Sequence, residues 1–252
     1  MREIIVAKDK AELNQIAAKK FIELAKTAVN KNDRFAVALS GGSTPRALYS
    51  LLAASFREAV DWNKVFFFFG DERHVLPNDD ESNFRMANET FFKPLDVSEQ
   101  HIFRWKTELN DPDKTVDEYE RSLDVFFYLK SGEFPVFDLI LLGMGPDGHT
   151  ASLFPNTEAL NETSRIVAKN WVEKLNTWRF TFTFSTINNA KNVMFLVAGE
   201  EKAEVLKQIL EEPKNCAILP SQCVAPANGK LVWHVDSSAA KLLSNNILTI
   251  HN

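Results

Sequence analysis

Cysteine is scarce: Cys216 and Cys223 are the only two in 252 residues. Their spacing matches neither C-x-x-C nor a zinc-finger pattern, which argues against a disulfide scaffold or a structural zinc site and leaves two buried or idle thiols as the expectation. Long apolar runs are also missing. No stretch approaches the roughly eighteen apolar residues of a membrane span, and Met1 to Lys8 lacks the apolar centre of a signal peptide. A cytoplasmic location with no membrane partner is the expectation. Positive charge is not in excess: the net charge of -5 and isoelectric point near 5.6 speak against a nucleic-acid partner, because phosphate backbones select basic surfaces. A small anion at a locally positive pocket stays open. With no internal repeat, low-complexity tract or flexible linker, residues 1–252 read as a single domain.

What is present is a hydrophobic content of 45%, including 20 Phe, beside 25% charged residues. That composition supports a large core and an ordinary globular chain. Leu13, Ile16, Ala17, Phe21, Leu24, Ala25 and Ala28 recur at helical spacing, which predicts an amphipathic helix to about Asn30. Apolar strands are predicted at 35–39, 65–69, 137–142, 193–198 and 231–235, with helices between them. Ser82 should cap a helix carrying Phe84, Ala87 and Phe91, residues 113–130 should form another ended by Gly132, and Ser237 should cap a terminal one through Leu243. Strands alternating with helices imply right-handed crossovers and an α/β fold, a Rossmann-like, mainly parallel sheet with helices on both faces.

In such folds ligands bind beyond the carboxyl ends of the strands, and three segments there carry chemistry. The first is Ser40, Gly41, Gly42, Ser43, Thr44, Pro45 and Arg46, a turn into a helix start. Pro45 fits the first helical position with Ser43 or Thr44 as cap, so free amides and the helix dipole would favour an anion. A Walker A loop is excluded because no G-K-[ST] follows. The second segment, Gly70, Asp71, Glu72, Arg73 and His74, places ionisable side chains directly after an almost pure Phe strand. The plain alternative is a surface ion-pair cluster.

The third is GMGPDGHTASLFP at 143–155. Gly143, Gly145 and Gly148 satisfy the dinucleotide fingerprint, but Pro155 comes too soon for the crossover helix that fingerprint requires, which argues against a nicotinamide or flavin cofactor. Asp147 and His149 instead put a carboxylate and an imidazole two residues apart in a glycine-rich turn, a pairing suited to proton transfer. Simple capping by an isolated D-x-H is the plain alternative. Later, residues 179–184 alternate with period two, Phe on one side and Arg179 with threonines on the other, either half exposed or aimed at a polar pocket. Lys202 falls in the first turn of a helix, where the dipole disfavours it and an anionic partner would explain it.

Taken in order, SGGSTPRALY, FFGDERHV followed by Ser82 and Asn83, and GMGPDGHTASLFP closely resemble the 6-phosphogluconolactonase family, and RFTFT, GEEKAEVL and LVWHVDSSAA extend the resemblance over nearly the whole chain. It implies hydrolysis of a small sugar-phosphate lactone, 6-phospho-D-glucono-1,5-lactone, with no required metal or organic cofactor. It also implies that Gly41, Gly42, Ser43, Thr44 and Arg46 cradle the phosphate, that Arg179 and Lys202 supply charge, and that Asn83 and Gly145 belong to the substrate site. His149 would be the general base, oriented by either Asp147 or Asp71, with Arg73 and glycine-loop amides on the oxyanion. A monomer or small homo-oligomer is expected. The related glucosamine-6-phosphate deaminase group has a catalytic Glu before the proline, where this chain has Phe154, which favours the lactonase. A sugar-phosphate sensor without catalysis is the remaining alternative, and the intact Asp71, Arg73, Asp147 and His149 set speaks against it.

Overall fold

A computed structural model describes residues 2–245. In chain order its elements begin with β1 (Arg2–Ala7), α1 (Lys10–Asn32), β2 (Phe35–Leu39), α2 (Ser43–Ser55), β3 (Val65–Phe69), β4 (Asp71–Arg73), α3 (Asn83–Ala87), α4 (Lys93–Leu95), β5 (Ile102–Phe103) and α5 (Pro112–Phe127). They continue with β6 (Leu139–Leu142), β7 (Val167–Val172), β8 (Thr177–Phe182), α6 (Phe184–Asn188), β9 (Asn192–Val197), α7 (Ala203–Glu211), β10 (Lys230–Asp236) and α8 (Ser237–Ala240).

Strands β2, β3 and β6 are short and almost wholly apolar, as strands covered on both faces must be. They belong to a seven-stranded sheet of order β1-β10-β9-β6-β2-β3-β5 whose pairings are all parallel. From β2 the chain first builds outward through β3 and β5, then returns to β6 and builds the other way. The reversal lies between β2 and β6, so the loops leaving those two strands part and open a crevice. Helices surround the sheet. Asp9 caps α1 by accepting from the Glu12 amide at 2.8 Å, and the buried stripe Leu13, Ala17, Phe21 and Ala25 faces the core.

Phenylalanine fills the middle. The Phe68 ring lies 4.5 Å from Phe103, 5.0 Å from Phe126 and 5.2 Å from Phe137. Each such contact is worth about 0.5–1.5 kcal/mol beyond the area it buries.

Several local expectations need correction. Residues 2–7 form the edge strand β1, a strand that sequence reading left out. The helix after β2 begins at Ser43 with Gly42 as cap at φ 103, so neither Ser43 nor Thr44 caps it and Pro45 is the third helical residue rather than the first. The backbone decides this: Arg46 N donates to Gly42 O at 3.1 Å, a bond that starts the helix before Pro45. Helix α5 ends at Phe127 and is capped by Tyr128, left-handed at φ 54, well before Gly132. Asp236 rather than Ser237 caps α8, accepting from the Ala239 amide, and the helix stops at Ala240 short of Leu243. Cys216 and Cys223 are joined in a disulfide with Cα atoms 5.6 Å apart, where separate thiols were expected. The segment 71–73 is not a loop either, because β4, β8 and β7 form a second, three-stranded antiparallel sheet.

Candidate active site

The glycine-rich segment after β6 folds into a tight turn in which Gly145 N donates to His149 O at 2.9 Å and Gly148 N to Gly145 O at 3.1 Å. A Cβ on Gly145 would lie 2.0 Å from the His149 ring, so the imidazole packs on bare backbone. Gly148, at φ 77, is pressed against Leu219, and its carbonyl accepts from both Ser221 N at 3.0 Å and Ser221 Oγ at 2.8 Å. Further along, Asn156 N donates to Ala217 O at 2.9 Å. The loop closed by the disulfide therefore supports the turn from behind.

Asp147 Oδ1 lies 2.5 Å from His149 Nδ1. Of the two candidate partners, Asp147 and Asp71, Asp147 is the one beside the imidazole. Its other oxygen accepts from Lys174, a residue in the turn between β7 and β8. Burial pushes the Asp147 carboxyl up, but the hydrogen bonds from His149 and Lys174 outweigh it and hold the group well below the usual carboxylate range. A carboxylate only accepts, so Nδ1 is the donor and the neutral ring carries its lone pair on Nε2. Phe154 stacks on the imidazole with centroids 4.1 Å apart, and Lys174 lies 4.8 Å from the Phe154 centroid.

Asp71 has a different task. Its Oδ2 accepts from Ser152 Oγ at 2.8 Å, and Asn83 Nδ2 donates to its main-chain carbonyl at 2.9 Å. Asn83 in turn packs on Gly41, where a Cβ would lie 1.9 Å from Asn83 Oδ1. Gly41, Asn83, Asp71, Ser152 and the His149 turn are thus linked through successive contacts. Glu72 is buried rather than part of a surface ion cluster. Its carboxylate accepts from the backbone amides of Arg73, Asn83 and Phe84, each at 2.8 or 2.9 Å, and from Ser82 Oγ at 3.2 Å. Burial raises the Glu72 pKa against the opposing pull of those donors. Ser82 caps α3 as expected.

In the antiparallel sheet Arg73 stands directly opposite Arg179. Burial first, then the Arg73 charge, depresses the Arg179 pKa. Like charges opposed across a strand pair destabilise it unless an anion lies between or beside them. The Arg73 guanidinium also donates to Glu81 O, pinning the 77–81 loop. Thr181 on the same strand is fully buried and accepts from Ser152 N at 3.2 Å, so the polar side of β8 faces the interior.

Gly42, Ser43, Thr44 and Arg46 gather at the start of α2, Ser43 and Arg46 exposed and Thr44 buried. Lys10, unremarked in the sequence, reaches Ser43 Oγ at 3.4 Å. Ser40 Oγ and Asn83 Oδ1, at the two sides of this turn, are buried without a hydrogen-bond partner. Lys202 ends a short 3-10 turn at the carboxyl end of β9, the neighbour of β6, and lies on the same rim of the sheet. It is the capping residue of α7 rather than a member of its first turn. Among the described residues no group of three or more His, Cys, Asp or Glu side chains is arranged to hold a metal ion. Lys174, Ser152 and Lys10 are the members that sequence reading does not single out, and Glu72, named there within the second segment, is given no role of its own.

Residues 8–233 match the family model described as glucosamine-6-phosphate isomerases/6-phosphogluconolactonase. The chain belongs to this family. Curated relatives named 6-phosphogluconolactonase include one from a Nostoc species, 40% identical over 218 residues, covering 86% of this chain and 88% of that protein. Another from a Synechocystis species is 40% identical over 216 residues, again covering 86% and 88%. Among solved structures, 6-phosphogluconolactonase from Trypanosoma cruzi superposes with a TM-score of 0.87 at 32% identity, covering 97% of each chain. The family's two branches share the fold, so the residues around His149 must distinguish them.

Proposed function

We propose that the chain hydrolyses 6-phospho-D-glucono-1,5-lactone to 6-phosphogluconate, the second step of the oxidative pentose phosphate pathway. The carrying observation is the Asp147–His149 pair at 2.5 Å with Phe154, not a carboxylate, stacked on the imidazole. A ring-opening deaminase wants an acid at that position, whereas lactone hydrolysis needs one base and an oxyanion site.

In the proposed sequence His149 Nε2 takes a proton from water as the water oxygen bonds to the lactone carbonyl carbon. Asp147 fixes the ring through Nδ1 and stabilises the imidazolium that forms. Arg73 and amides of the glycine loop stabilise the oxyanion, a role in which one lost donor costs roughly 10² to 10³ in rate. The tetrahedral species collapses, the bond from that carbon to the ring oxygen breaks, and His149 returns its proton to the departing oxygen. The carboxylic acid so formed ionises and releases a proton to solvent.

The phosphate is assigned to the start of α2, where Gly41, Gly42, Ser43, Thr44 and Arg46 present amides, hydroxyls and charge, with Arg179 and Lys202 completing the positive rim. Asn83 Oδ1 and Ser40 Oγ, buried without partners, support a polar ligand, a sugar hydroxyl donating to the first and a ligand oxygen accepting from the second. No cofactor enters the scheme.

The chain is assigned to the cytoplasm as a single α/β unit, a monomer or small homo-oligomer, acting on small molecules rather than nucleic acid. Among the described residues no helix is long and apolar enough to cross a membrane. The Cys216–Cys223 bond is at odds with a reducing compartment; thiol titration of protein from rapidly quenched cells tests that assignment.

Acid release in a pH-stat with freshly made lactone, run beside an ammonia-release assay on glucosamine 6-phosphate, tests the activity. Proton release well above spontaneous hydrolysis, with no ammonia, is expected. Ammonia without acid release assigns the chain to the other branch, and neither signal leaves a binding protein.

A further inference from the structure

The ammonium on Asp147 is supplied from outside every motif that marks the family. Lys174 lies in the 3-10 turn Glu173–Leu175 at the tip of the β7–β8 hairpin, the hairpin that also carries Arg179. Its side chain crosses to Asp147 Oδ2 while Asp147 Oδ1 is engaged by His149, so both carboxylate oxygens are occupied and the Asp147 rotamer is fixed from both sides. The Lys174 ammonium lies over the Phe154 ring that stacks on the imidazole. Lys174, Phe154 and Asp147 therefore enclose one side of His149.

We propose that Lys174 is a positioning residue for the hydrolysis: it pins Asp147 through its far oxygen and shares its negative charge, so that the His149 imidazole is held in register. The inference rests on the general-base reading of His149. Its electrostatic sign is definite. Asp147 alone stabilises the imidazolium, and a cation on its far oxygen offsets that stabilisation.

The other charged groups lining the adjoining cleft of about 760 Å³ are Glu158, Lys169 and Glu173. Lys169 is held by Asp113 at 2.6 Å, and Glu173 accepts from Trp171 Nε1 at 2.7 Å. Asp71 is bound to Ser152. Lys174 is the cation that reaches the dyad.

The test is the pH profile of kcat/KM for lactone hydrolysis between pH 5.5 and 8 in wild-type protein, Lys174→Met, Lys174→Arg and His149→Ala, each checked for an unchanged thermal midpoint. Removing a unit charge held one carboxylate away from the imidazole moves an ionisation by on the order of one pH unit. Lys174→Met should move the acid limb up by about that much, lower kcat near pH 7 up to about tenfold, change KM less than twofold, and leave Lys174→Arg close to wild type. A wild-type acid limb in Lys174→Met overturns the proposal, and so does a loss confined to KM, which would make Lys174 a substrate ligand. His149→Ala separates the two readings: activity retained there removes the general base itself, whereas an inactive His149→Ala beside an unshifted Lys174→Met removes only the role of Lys174.

Discussion

Gly148→Ala probes the support behind the catalytic turn. The backbone there is left-handed at φ 77, which costs a residue with a Cβ about 1–2 kcal/mol. The added carbon would lie 2.7 Å from Leu219 Cδ2 and 3.3 Å from Leu219 Cα. The first contact can yield by rotation of a flexible side chain, but the second is backbone, so overpacking adds about 1–2 kcal/mol. The expected destabilisation is about 2–4 kcal/mol. Relief by moving the turn away from Leu219 would stretch the two Ser221 bonds to Gly148 O and displace His149, the next residue. A displacement of about 1 Å costs on the order of 10² in rate. Urea unfolding reads the first effect and pH-stat turnover the second. Gly132→Ala is the control, since its φ is 83 but an added Cβ meets nothing within 4 Å: it should cost only the backbone share, about 1–2 kcal/mol, with no change in kcat. If Gly148→Ala matches that control in both measurements, the claim that the 216–223 loop positions the turn is wrong.

Asp147→Asn should lower kcat by about 10² to 10⁴ with a small change in KM, because Nδ1 loses its charged acceptor; steady-state kinetics on fresh lactone check it. Arg179→Ala should raise KM far more than it lowers kcat, as loss of uniform phosphate binding does; an unchanged KM removes Arg179 from the phosphate site. Glu72→Ala strands the amides of Arg73, Asn83 and Phe84 at about 1–3 kcal/mol each, so a loss of at least about 3 kcal/mol is expected in urea titration. Burial lowers the pKa of His234 to about 4, and its Nε2 is buried without a hydrogen-bond partner. Because the folded value is below the unfolded one near 6.5, its stabilising effect is complete above about pH 6.5 and declines as pH falls toward about 4. The decline totals about 3 kcal/mol at roughly 1.4 kcal/mol per pH unit. His234→Asn should flatten that part of the stability profile, and an unchanged slope between pH 6.5 and 4 would contradict it.

The parallel core was legible because β2, β3 and β6 are apolar on both faces, a pattern that local sequence displays directly. The site loops were legible for a related reason: glycines and ionisable residues directly after such strands must emerge at one rim. What escaped depends on contacts distant in sequence. Residues 71–73 change sheet after Gly70, and only their pairing with residues 179–181 makes them a strand. Arg2 and Glu3 disguise an edge strand that pairs with β10, more than two hundred residues away. Lys174 looks like any charged residue at a hairpin tip until the fold lays it across Asp147. The disulfide was misjudged because a seven-residue separation carries no signature until the intervening chain turns back.

All the proposed chemistry lies where strands end, and the opposite rim, where they begin, holds a broad depression of about 860 Å³ lined by Arg34, Phe134, Asp138 and Lys191. Exposed Tyr128 and Val136 flank it on the connection into β6. Foreign sequence spliced into residues 130–134 would project from that rim with the thickness of the sheet between it and the substrate. That rim is an attachment point for a fluorophore, a surface tether or a second enzyme, on the side of the sheet away from the proposed chemistry.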